Sequence, residues 1–111
     1  MLDNRTAQIA ALNDKLRTTF FNGGRTMITR SVASLDEDTR QKVLRAVQTF
    51  DNFNEDNNPY GERDFVSVEV DGERYFAKID YYGMTFDEGS EDPANPEVTT
   101  RIMTIMHSSD Y

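Results

Sequence analysis

The sequence predicts an α+β fold, two helices packed on a small, mainly antiparallel sheet of about four strands in the order α-β-α-β-β-β. Three observations predict it. Apolar residues recur at helical spacing in two segments of the first half. They alternate with polar residues through much of the second half. An Asp-Gly pair divides that alternating region, as a tight hairpin requires. The 111 residues fall within the usual length of one domain, so a single α+β domain over 1–111 is expected.

The first helix is read from residues 6–20, where Ile9, Leu12, Leu16 and Phe20 recur three and four apart and Gly23-Gly24 stops the helix. Residues 26–32, with Met27, Thr29 and Ser31 alternating against Ile28, Arg30 and Val32, predict a short strand. The second helix is placed at about residues 36–50. Ser34-x-x-Glu37 reads as a capping box, in which hydroxyl and carboxylate each satisfy an otherwise unpaired backbone N–H. Asp36, Glu37 and Asp38 favour the positive end of the helix dipole, and Val43, Val47 and Phe50 continue its apolar stripe.

Residues 51–63 are rich in Asn, Asp, Pro and Gly and read as a loop of functional-site length. Two alternating strands then flank Asp71-Gly72. A two-residue turn sets Val70 opposite Glu73, which puts Val66, Val68 and Val70 on one face with Tyr75, Ala77, Ile79 and Tyr81. That face is the predicted core. The other carries Phe65, Ser67, Glu69, Arg74, Phe76, Lys78, Asp80 and Tyr82, with Glu69 opposite Arg74. A second polar loop leads to residues 98–107, whose β-branched content predicts a strand although Val98, Ile102, Ile105 and Met106 also fit a helical stripe.

Charge is distributed unevenly. The net charge of −8 divides into +3 over residues 1–50, from eight Lys/Arg and five Asp/Glu, and −11 over residues 51–111, from four and fifteen. An acidic surface repels nucleic acid and attracts cationic protein patches, so a protein partner with a cationic surface is expected and direct nucleic-acid binding is not. The absence of cysteine excludes disulfides and thiolate metal sites. No long apolar run or leader-like start is present, so a cytoplasmic protein without a membrane partner is expected.

Motifs for chemistry are weak. Asp56-Asn57-Asn58-Pro59-Tyr60-Gly61 follows the start of a calcium loop, but Tyr60 stands at the fifth position and Ser67 at the twelfth, where bidentate binding needs Glu. The alternative reading is a turn shaped by the Asp and Asn side chains. Convergence of Asp56, Glu62, Asp64, Asp80 and Asp87 would supply a carboxylate pair or a divalent-cation site. His107 is the sole histidine, which excludes a two-histidine zinc site. Asn22-Gly23-Gly24-Arg25 lacks the lysine of a phosphate loop.

Seven ordered blocks carry a family resemblance. They are Asn13-Asp14-x-Leu16-Arg17, Gly23-Gly24-Arg25, Phe50-Asp51-x-Phe53, Asn57-Asn58-Pro59-Tyr60-Gly61-Glu62-x-Asp64-Phe65, Lys78-Ile79-Asp80-Tyr81-Tyr82, Ser90-x-Asp92-Pro93-Ala94-x-Pro96, and Arg101 to Met106 running on to Tyr111. Over roughly residues 10–111 the chain resembles domain-of-unknown-function family 3768, short bacterial proteins often found among plasmid or mobile-element genes. The resemblance implies no mechanism. Two departures stand out, Arg63 where the family usually has His, and His107 where it tends to an apolar residue.

The candidate binding residues are Asp56, Asn57, Tyr60, Glu62 and Asp64, then Lys78, Asp80 and Tyr82, then Asp92, all but Asp56 within these blocks. No catalytic residue, metal ligand or cofactor is assigned. The reading is a non-enzymatic protein-binding module, extended by the resemblance to a mobile-element accessory or anti-defence protein whose carboxylates imitate nucleic acid. The alternative is a small carboxylate- or metal-dependent enzyme using the 51–64 loop and Asp80.

Overall fold

The computed structural model describes residues 3–86 and 88–111. Its elements are α1 (Asn4–Thr19), β1 (Arg25–Ile28), α2 (Arg30–Ala33), α3 (Glu37–Thr49), β2 (Phe65–Val70), β3 (Glu73–Tyr82), β4 (Thr100–His107) and a 3₁₀ turn at Ser108–Asp110. The fold is α+β, as expected, with three helices instead of two. The four strands form one mixed sheet in the order β1-β4-β3-β2. β1 runs parallel to β4, and the other two pairings are antiparallel.

The two long helices, α1 and α3, each begin on a carboxylate. Asp3 accepts from Thr6 N at 2.7 Å and Asp36 accepts from Thr39 N at 2.8 Å, each satisfying an amide that the helix leaves unpaired. The N-cap of α3 is therefore Asp36 and not Ser34, because the Asp side chain already meets the third amide and the capping-box spacing is displaced. α1 ends before the glycine pair, with Phe20 in the left-handed region (φ 73°) and its N–H bonded to Leu16 O. Gly24 has a different role. A Cβ there would stand 2.5 Å from Arg101 O, so glycine lets the chain pass close to β4.

The strand expected over 26–32 is half strand and half helix. Pairing with β4 covers residues 25–28, and residues 30–33 then turn helical to bury Val32, which an extended chain would not bring to the core. The hairpin and the last strand follow the predicted pattern. Val70 faces Glu73 across Asp71-Gly72, both at positive φ, and residues 100–107 are a strand.

The core lies on one face of the sheet. Val66, Val68, Val70, Tyr75, Ala77, Ile79, Met103 and Ile105 point inward, and Leu16, Val32, Val43 and Val47 from the three helices join them in one cluster. Complete burial of such a side chain contributes about 1.5–3 kcal/mol. Among the described residues no α-helix packs on the opposite face. The register places Phe65, Phe76, Lys78, Asp80, Tyr82, Ile102 and Thr104 there, all half-buried, along with exposed Met27 and buried Met106. No helix among the described residues is long and apolar enough to cross a membrane.

Candidate functional site

Polar side chains gather at one end of the core, where α1, the 51–64 loop and the ends of β3 and β4 meet. Asn13 lies on the buried side of α1 between Ile9 and Leu16 and is fully buried. Its Nδ2 donates to Tyr81 Oη at 2.8 Å and to Glu62 O at 2.9 Å, and its Oδ1 accepts from Arg101 Nε at 2.7 Å. Tyr81 Oη in turn donates to Glu62 Oε1 at 2.8 Å. Arg101 is 1% exposed, lies 4.9 Å from the centre of the Tyr81 ring, and donates a second bond to Pro93 O. A buried guanidinium and a half-buried carboxylate are thus joined through an amide and a phenol. Burial lowers the Arg101 pKa and raises that of Tyr81, which keeps the phenol protonated and donating.

A second cluster adjoins it. Asp14 accepts from Arg17 Nη1 and from Arg63 Nη1, each at 2.8 Å. Both guanidiniums also lie over the Phe53 ring, 5.0 and 4.8 Å from its centre. Arg63 takes a left-handed backbone (φ 58°), held by a 2.9 Å bond from its N–H to Asn58 Oδ1. An open cleft of about 360 Å³ lies against this cluster, lined by Phe53, Asn54, Glu55, Asn58, Pro59, Gly61 and Arg63.

Of the nine candidate residues, Glu62, Asp64 and Asp80 lie near enough for their charges to act on one another, and the rest are spread apart. Asp56 is exposed, and Asn57 shapes the turn by accepting from Asn54 N and donating to Asn52 O, both at 2.8 Å. Tyr60 is 82% exposed. Glu62 belongs to the buried network, and burial followed by the charges of Glu62 and Asp80 raises the Asp64 pKa. Lys78 and Asp80 form a 3.1 Å ion pair on the helix-free face, beside Tyr82. Asp92 accepts from Arg5 at 3.2 Å. Asp87 lies outside the described residues. Among the described residues no three His, Asp or Glu side chains stand together in a way that would hold a metal.

Sequence reasoning missed Asn13, Tyr81 and Arg101 as a unit, and also the Asp14, Arg17 and Arg63 cluster. The available signal was polarity in the wrong place. Asn13 and Arg17 interrupt the apolar side of α1, and Arg101 sits in an otherwise apolar strand.

The helix-free face is the third feature. Phe65, Phe76 and Tyr111 form an aromatic cluster with ring centres 5.1–5.9 Å apart, and Tyr82 meets Phe86 at 5.9 Å. Tyr111 is 76% exposed and Phe86 49%. The turn that brings Tyr111 there is fastened by Asp110, which accepts from Thr29 Oγ1 at 2.8 Å, Ser31 Oγ at 2.9 Å and His107 N at 3.0 Å. His107 also meets Glu73 at 2.8 Å, in a structural position.

The model of domain-of-unknown-function family 3768, described as a protein of unknown function, matches residues 28–110. The match starts at the last residue of β1, so the blocks around Asn13 and Gly23-Gly24 lie outside it. No curated protein and no solved structure matches the chain.

Proposed function

The chain belongs to domain-of-unknown-function family 3768, and from that premise we propose a non-enzymatic protein-binding module whose contact surface is the helix-free face of the sheet. The make-up of that face carries the reading. Two aromatic groups stand there instead of under a helix, Phe65, Phe76 and Tyr111 at one end and Tyr82 with Phe86 at the other, with the Lys78–Asp80 pair between them. Exposed aromatic side chains among polar ones favour a protein contact.

Charge selects the partner. On the face itself Lys78 pairs with Asp80 and Arg74 with Glu69, so the charges largely cancel. Beyond it Glu55, Asp56, Asp71, Glu73, Glu88, Glu91 and Glu97 are exposed, within a half of the chain that carries −11. Phosphates are repelled by such a field, whereas a protein with a cationic surface is attracted to it. In the sharper form of the proposal the chain is a mobile-element accessory or anti-defence protein whose carboxylates occupy a cationic groove built for nucleic acid. The exposure of those carboxylates supports that form.

The enzyme reading, through the 51–64 loop and Asp80, has less support. Asp80 is engaged by Lys78, Glu62 by Tyr81, and Asp56 stands apart from both at the surface. Affinity purification from a lysate of the source cells tests the choice, using the tagged chain, a Phe76→Ser/Thr104→Arg double variant, and a variant with Glu55, Asp56, Glu88 and Glu91 neutralised. One partner recovered by the parent chain, lost in both variants and released by salt supports the proposal. Retention by the double variant contradicts it.

A further inference from the structure

We propose that the cleft beside Phe53 is a binding site for a small carboxylate, held by Arg63 with Arg17 behind it. Charge count is the first reason. Two guanidiniums share the single carboxylate of Asp14, one on each oxygen at 2.8 Å, which leaves one positive charge without a direct counter-ion. The second reason is donor count. Arg17 is 4% exposed and its Nε is buried with no acceptor, and among the described residues only one of the five side-chain N–H donors of Arg63 has a protein partner. A buried donor without a partner, as Arg17 Nε is, is rare in folded proteins, and the Arg63 side chain, 41% exposed, keeps its remaining donors accessible from the cleft it lines.

The third reason is shape. Arg63 lines an open cleft of about 360 Å³, room for a small molecule, with Phe53 and Pro59 as apolar wall and the Asn58 side chain as a further polar group. Arg63 is held there in a left-handed conformation that costs of order 1–3 kcal/mol, and such strain gathers at ligand clamps. A forked guanidinium pairs with a planar carboxylate through two parallel hydrogen bonds. Glu55 also lines the cleft, and its charge disfavours a dianion such as phosphate while favouring a carboxylate whose carrier has a donor group, as a zwitterion has.

The site is independent of the sheet face, so failure of either proposal leaves the other standing. The test is a titration of the isotope-labelled full chain at constant ionic strength, chloride being replaced by acetate, by glycine or by inorganic phosphate, followed by NMR of the backbone amides and arginine Nε–H groups. The expected result is saturable shifts at Arg63, Asn58 and Gly61 with acetate and glycine, and weaker binding of phosphate. Arg63→Gln abolishes them. Asp14→Asn, which removes the internal competitor, tightens acetate binding by about tenfold, the effect expected of one strong charge-assisted pair. Glu55→Gln acts in the same direction and keeps the test open should Asp14→Asn fail to fold. Shifts that rise linearly, spread over the whole surface or persist in Arg63→Gln overturn the site, and tighter binding of phosphate than of acetate overturns the ligand class.

Discussion

Asn13 and Arg101, 88 residues apart in the chain, are joined by a 2.7 Å hydrogen bond from Arg101 Nε to Asn13 Oδ1. That bond ties the first helix to the last strand inside the core. Among the described residues no carboxylate touches the guanidinium directly, and the amide, the Pro93 carbonyl and the Tyr81 ring stabilise its charge.

Asn13→Ala removes the acceptor and leaves a buried charged donor unpaired. The expected loss is about 3 kcal/mol of stability in urea unfolding, since the penalty for orphaning a buried charged group exceeds that for a neutral one. Tyr81→Phe removes one hydroxyl between Asn13 and Glu62 and is expected to cost less, about 1–2 kcal/mol.

Gly24→Ala places a methyl group 2.5 Å from the Arg101 carbonyl oxygen, a contact between backbone and side chain that no rotamer relieves. The expected destabilisation is about 2 kcal/mol, as for overpacking elsewhere, with strand pairing between β1 and β4 loosened first. Hydrogen exchange of the β1 amides is the measurement that separates local loosening from global loss.

Asp64 gives a pH dependence of definite sign. Its pKa is raised in the folded protein, by burial and then by Glu62 and Asp80, so the folded state binds more protons than the unfolded state between the ordinary value of 3.8 and the raised one. Its contribution to stability is therefore complete below the ordinary value and is lost as pH rises through the folded one. Asp64→Asn is expected to raise Tm at pH 7 by a few degrees and to flatten the Tm profile across that window. Asp110 acts in the opposite sense. The hydroxyls of Thr29 and then Ser31 lower its pKa, so its contribution is present above 3.8 and is lost as pH falls below it. Asp110→Asn is expected to remove that acid-side loss and to free Tyr111 from Phe65 and Phe76, read as a change in tyrosine fluorescence.

Much of the fold was legible because local signals agreed with tertiary ones. Asp71-Gly72 fixes the hairpin register from two residues, and the register then assigns both faces of β2 and β3, including the Arg74 bond to Glu69 at 3.1 Å. Residues 29–33 were illegible because β-branched alternation is local, whereas the burial of Val32 beneath the helices is not. The cap of α3 was misplaced because Ser34 and Asp36 both precede Glu37 at plausible spacing, and only the geometry of Asp36 and Thr39 decides between them. The polar clusters were invisible for a similar reason. Their members come from α1, the long loop and the last two strands, and periodicity reports which side of an element is buried without reporting what meets it there.

The central claim is that the helix-free face is the contact surface, and site-specific photocross-linking tests it most directly. A photoreactive residue is placed in turn at Lys78 and Thr104 on that face and at Arg45 and Glu37 on the exposed side of α3. The account predicts one cross-linked protein of basic surface from Lys78 and Thr104, none from Arg45 or Glu37, and loss of the cross-link at high salt. Cross-linking from α3 instead, or cross-links to nucleic acid or to a second copy of the chain, would contradict it.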